Sequence, residues 1–140
     1  MMTTELPAHV TDFIADLASL TSASVEVWLI GSRANDRARP DSDTDLLIFG
    51  LVGLIDKVRS RMQQPAETDC LIVFDGDNYR DPWQEKSGSL SKLGWEQVDD
   101  ATATYVDIKW ASDEDSSAEF EADLGVLVPK RERAWKVWPR

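Results

Sequence analysis

The chain has 140 residues, 42% of them hydrophobic and 29% charged, a balance that suits one compact domain burying about 68–70% of its unfolded surface. It excludes disordered and collagen-like classes, and no apolar run approaches the ~20 residues of a membrane span. Twenty-six acids against 15 bases give a net charge of −11, which repels a nucleic-acid backbone unless the bases are segregated. Lys130, Arg131, Arg133, Lys136 and Arg140 do gather at one end, against the single acid Glu132. That basic tail is expected to lie over the acidic body or stay solvated, and nucleic acid is not an expected partner. The opening MMTTELPAHVTDF has no basic stretch followed by an apolar core, so no secretory signal is expected. Cys70 is the only cysteine, which leaves no internal disulfide and no cysteine-rich zinc site. A cytoplasmic location follows as the expectation.

In chain order, Val10, Phe13, Ile14, Leu17 and Leu20 recur at helical spacing from Pro7 to about Ser22, and Pro7 suits a first helical turn. Val25–Ile30 reads as a buried strand ending at Gly31. The polar, Arg-rich Ser32–Asp41 follows, and then the apolar run Leu46–Phe49. Leu51, Ile55, Val58 and Met62 share one helical face between Leu51 and Gln64. Thr68–Phe74 is a third strand, stopped by Asp75-Gly76. Three almost wholly apolar strands imply a sheet covered on both faces. Asn78–Gly94 reads as a turn-rich connection with one short helix. Thr104–Trp110 alternates, with Thr104, Val106, Ile108 and Trp110 on one face and Tyr105, Asp107 and Lys109 on the other. Glu119–Leu124 alternates too, which predicts a hairpin-like pair with one wet face. Pro129 is expected to end Val126–Val128, and residues 77–140 are expected to extend the sheet.

The chemistry concentrates in Gly31-Ser32-Arg33-Ala34-Asn35-Asp36-Arg37-Ala38-Arg39-Pro40-Asp41-Ser42-Asp43-Thr44-Asp45-Leu46. Gly31 has no Cβ, so backbone there can approach a ligand closely. Ser32 offers a hydroxyl and N–H groups where a helix can begin, a favourable place for phosphate oxygens. Asp43 and Asp45 are two apart on an extended chain and share a face. Two such carboxylates repel each other unless a cation sits between them, and Mg²⁺ is the natural hard, oxygen-liganded choice. Asp69, at the head of the next strand, is the candidate third carboxylate of a two-metal site, with Asp107 as its rival. Arg33, Arg37 and Arg39 lie where they can offset triphosphate charge.

Gly-Ser, ten intervening residues and Asp-x-Asp resemble the signature of the minimal nucleotidyltransferases in the DNA polymerase β superfamily, over roughly residues 10–75. The resemblance implies an α+β fold: a mixed sheet with flanking helices, here extended by a C-terminal β-hairpin in a single domain, with a core over residues 7–76. It implies transfer of a nucleoside monophosphate from an NTP, with ATP the expected donor, to a hydroxyl-type acceptor such as a protein group, with Mg²⁺. Gly31 and Ser32 would hold the triphosphate with Arg33 beside them. Asp43, Asp45 and Asp69 would bind metal, and Asp69 would help activate the acceptor. Many members of this family work beside a helical partner protein, some as antitoxins. A helical partner or a homodimer is therefore a candidate, and an interaction module with little or no turnover is the alternative reading.

Plainer readings stand beside these. Asp43 and Asp45 are also the kind of turn acid that often precedes a strand. Asp75, Asp77 and Asp81 read as solvated loop residues, with a place near the metal edge as the alternative. His9 sits on the first helix away from the motif, and Cys70 reads as an inert core residue. Five of the six Trp lie in the second half of the chain, where a core or an interface accounts for them better than base stacking does.

Overall fold

The computed structural model describes residues 6–35, 38, 42–110 and 127–139. The anticipated strand Glu119–Leu124, the Ser- and Asp-rich Ala111–Ala118, Arg37 and Arg39 lie outside the described residues.

Helix α1 (Ala8–Ser19) buries Val10, Phe13, Ile14 and Leu17, the stripe that the periodicity marks. Pro7 stands just before it, and its carbonyl accepts from the N–H groups of Val10 and Thr11. Strand β1 (Glu26–Ile30) leads through a 3-10 turn at Ser32–Ala34 to β2 (Thr44–Phe49), α2 (Gly53–Arg61) and β3 (Thr68–Val73). α2 buries Leu54, Ile55 and Val58, whereas Leu51 precedes the helix and is 65% exposed. Strands β4 (Asn78–Arg80) and β5 (Ser87–Ser89) follow, then α3 (Leu90–Leu93), β6 (Glu96–Gln97), β7 (Thr102–Trp110) and β8 (Leu127–Trp138). The expected turn-rich connection from Asn78 is thus a short antiparallel β-hairpin before the helix.

Among the described residues eight strands form one mixed sheet in the order β5-β4-β3-β2-β1-β8-β7-β6. Among the described strands β2 and β3 alone run parallel, and α2 supplies the crossover that parallel pairing needs. α1 and α2 cover one face, over Val27, Leu29, Leu46, Ile48, Cys70 and Ile72. The other face carries a second cluster of Trp28, Leu47, Val73, Ala103, Tyr105 and Ala134, closed by Leu90 from α3. Trp95 packs there edge-on against Trp28, with ring centroids 5.3 Å apart.

The basic tail departs from expectation. It is strand β8, a 12-residue strand lodged between β1 and β7, and neither solvated nor laid over the surface. Ala134 and Val137 are buried on it, and Glu132 is 1% exposed. Apolar residues interleaved with the bases let it lie in a sheet while Arg131 and Arg133 stay outside. Pro129 does not stop the strand. Among the described residues β1 pairs with Trp135–Trp138 alone, so Pro129 lies where β8 pairs on one side with β7, and a missing N–H is tolerated there. A chain lacking residues 127–140 would lose β8 from the middle of the sheet and bare the edges of β1 and β7. It is expected to be unfolded by circular dichroism and by amide dispersion in NMR; a native-like spectrum would contradict the topology.

Candidate active site

Sheet register gathers the motif. β1 and β2 are antiparallel with Ile30 opposite Asp45, so Gly31 leaves β1 beside the start of β2. β2 and β3 are parallel with Asp45 opposite Asp69. Alternation along the strands then puts both carboxylates on the face of Trp28, Leu47 and Tyr105, away from α1 and α2. They line a cavity of about 240 Å³ with Gly31, Tyr79, Lys86 and Tyr105.

Gly31 has φ 75°, and a Cβ built there would overlap Asp45 Oδ2. The glycine is therefore required twice, by backbone conformation and by the carboxylate packed against it. Asp45 is half-buried and its carboxyl is pushed up to about 6, first by burial and then by the charges of Asp69 and Asp43; a hydrogen bond with Asp69 adds to this, and Lys86 pulls the other way. Two carboxylates placed opposite each other on adjacent strands form an oxygen donor set suited to a hard cation. Asp43 is exposed at the rim. Among the described residues no three His, Cys, Asp or Glu side chains are gathered into a metal cluster, so the pair Asp45 and Asp69 is the compact part of the set.

The Gly-Ser turn is held from the C-terminal strands. The Gly31 N–H donates to the Tyr105 hydroxyl at 2.9 Å. Asn35 binds the backbone of Arg133 twice, its Oδ1 accepting from the N–H at 2.7 Å and its Nδ2 donating to the carbonyl at 3.1 Å. The Trp135 indole donates to the Ala34 carbonyl at 2.8 Å. Arg33 turns back on its own loop, with Nη2 donating to the Ser42 carbonyl at 2.7 Å. Its Nε is buried and unpartnered among the described residues.

Other candidates fall away from the cavity. His9 bonds the Ala66 carbonyl at 2.9 Å. Cys70 is fully buried, and burial together with Asp81, Asp69 and Asp45 drives its thiol strongly upward, which keeps it protonated. Asp107 lies on β7, three strands from β2. Asp81 is 2% exposed rather than solvated, because its carboxylate accepts from the N–H groups of Trp83 and Gln84. Sequence reasoning missed Tyr105, which it placed on the wet face of its strand. The buried alternation is Ala103 and Tyr105, and the signal lay one residue out of phase with the reading. Lys86 and Tyr79 carried no motif that could have singled them out.

The family described as Nucleotidyltransferase domain matches residues 10–127. The chain belongs to that family. No curated protein and no solved structure gives a significant match. The nucleotidyltransferase match takes in Gly31, Asp45, Asp69 and Tyr105, and it ends where β8 begins. The strand that clamps Ala34 and Asn35 therefore lies almost wholly beyond the matched span. Tyr105→Phe keeps the ring and removes the acceptor of the Gly31 N–H. It is expected to cost about 1 kcal/mol in urea unfolding and to speed amide exchange at Gly31; unchanged exchange there would show that the hydroxyl does not hold the turn.

Proposed function

We propose that this nucleotidyltransferase transfers a nucleoside monophosphate from an NTP, with ATP the donor, to a hydroxyl acceptor in the presence of Mg²⁺. The observation that carries the reading is the adjoining carboxylates of Asp45 and Asp69 at the sheet end where Gly31 turns. Gly31 and Ser32 present backbone to the triphosphate, and Arg33 stiffens the segment that follows. Asp43, Asp45 and Asp69 supply oxygen ligands, and Asp69 takes the acceptor's proton. In the step itself the acceptor oxygen bonds to the α-phosphorus, the bond to the bridging oxygen breaks, and pyrophosphate leaves. A divalent cation, when bound, supplies charge neutralisation and Lewis acidity at those oxygens.

A thermal-shift panel of the four NTPs with and without Mg²⁺, on wild type and Asp43→Ala, tests the reading. One NTP is expected to raise Tm only with Mg²⁺, and less in the variant. No shift from any NTP would put the interaction-module reading first.

A further inference from the structure

Lys86 closes the turn between β4 and β5. Ser87 stands opposite Arg80 and Gly88 opposite Tyr79, and Tyr79 in turn stands opposite Val73 in the cluster on the carboxylate face. The Asp81 N–H donates to the Lys86 carbonyl at 2.9 Å, which carries the ladder one pair further. Lys86 precedes Gly88 by two residues, so its side chain falls on the face of Tyr79, Asp45 and Asp69. Arg80, opposite Ile72, falls on the face that α1 and α2 cover.

Lys86 lines the cavity of Asp45, Asp69 and Gly31. In a chain of net charge −11 it is the one cation among the described residues of that lining. Burial, Asp69 and Asp43 push the Asp45 carboxyl up, and the charge of Lys86 pulls it back. The backbone that carries Lys86 is fastened on both sides. Its N–H donates to the Gln84 carbonyl at 3.0 Å, and its carbonyl accepts from Asp81, whose buried carboxylate holds the N–H groups of Trp83 and Gln84. The residue is exposed, so a flexible stem carries the ammonium from an anchored root. A space of about 240 Å³ lies below the roughly 300–1,000 Å³ that holds a whole small molecule. It suits the reacting phosphoryl group and an acceptor oxygen, not a complete nucleotide.

We infer that Lys86 is a further catalytic residue of the transfer. Its ammonium balances Asp45 and Asp69 in the metal-free protein, and during the reaction it donates to a non-bridging oxygen of the α-phosphoryl group while the acceptor oxygen bonds to phosphorus and pyrophosphate leaves. A donor at the point of bond exchange acts on the rate, not on how tightly the rest of the nucleotide is held. The catalytic role rests on the transfer reading above; the counter-ion role does not.

Two measurements on the full chain separate these roles. In the first, Mg²⁺ is added without nucleotide while NMR follows the amides of residues 44–46 and 69. Lys86→Met is expected to bind Mg²⁺ at least about threefold more tightly than wild type, because a competing cation is gone; equal or weaker binding would overturn the counter-ion role. In the second, α-labelled ATP and Mg²⁺ are incubated with cell extract, and the initial rate of label incorporation is read against ATP concentration. Lys86→Met is expected to lower the saturating rate about a hundredfold with half-saturation little changed, and Lys86→Arg to recover most of it. Arg80→Met, which removes a cation from the other face of the same hairpin, should leave the rate unchanged. An unchanged rate in Lys86→Met, a change confined to half-saturation, or an equal loss in Arg80→Met would overturn the catalytic role and leave the transfer reading standing. If wild type itself incorporates no label, the transfer reading falls and takes the catalytic role with it, while the Mg²⁺ titration still decides the counter-ion role.

Discussion

Asp45→Asn is expected to abolish nucleotidyl transfer, by about a thousandfold or more, and at the same time to stabilise the metal-free protein. The activity loss follows from removing one of two adjoining carboxylates. The stability gain follows from the sign of the linkage. The Asp45 carboxyl is raised from 3.8 to about 6 on folding, so between those values the folded state holds a proton that the unfolded state has released. Stability must therefore fall as pH rises from about 4 through about 6, and the cost persists above that window, on the order of 2–3 kcal/mol. Asn carries no charge and avoids it. Urea unfolding in EDTA at pH 5 and pH 7.5 should show wild type weakening with pH much more than Asp45→Asn. Equal pH dependence would mean that the two carboxylates are not held against each other.

Gly31→Ala should do more damage than its single methyl suggests. Positive φ alone costs an L-residue roughly 1–2 kcal/mol, and the new Cβ must also displace the Asp45 carboxylate. Gly76 provides the control, since it has φ 87° with nothing within 4 Å of a built Cβ. Gly76→Ala should cost only the conformational part. Gly31→Ala should cost about 3 kcal/mol or more and lose its response to Mg²⁺ and NTP. Equal losses of stability in the two variants would show that Asp45 moves aside freely.

Elements with strong local periodicity were legible in the sequence. α1 and α2 announce themselves by one apolar face each, and β1, β2 and β3 by short, almost wholly apolar runs with a nearby stop signal. The motif was legible for a related reason, since Gly31 and the alternating acids are chemically unusual beside apolar strands. What was not legible depends on pairing across long distances. Nothing local to Lys130–Trp138 says that its bases will sit in the middle of a sheet; the gap between β1 and β7 decides that. Tyr105 was misplaced because Thr104, Val106 and Ile108 look more apolar than Ala103, while the cluster around Trp28 and Trp95 selects the opposite face. Asp81 looks solvated in sequence because a buried carboxylate that caps a turn has the same sequence as an exposed one.

If Asp45 and Asp69 form a nucleotidyl-transfer centre, the chain moves the α-phosphoryl group of an NTP. The deciding measurement incubates the protein and Mg²⁺ with cell extract and ATP labelled at the α-phosphate, alongside ATP labelled at the γ-phosphate. The α-label is expected to enter an acceptor and the γ-label to be released as pyrophosphate, and neither is expected with Asp45→Asn or Asp69→Asn. Transfer of the γ-label, or α-label incorporation that survives both substitutions, would contradict such a centre.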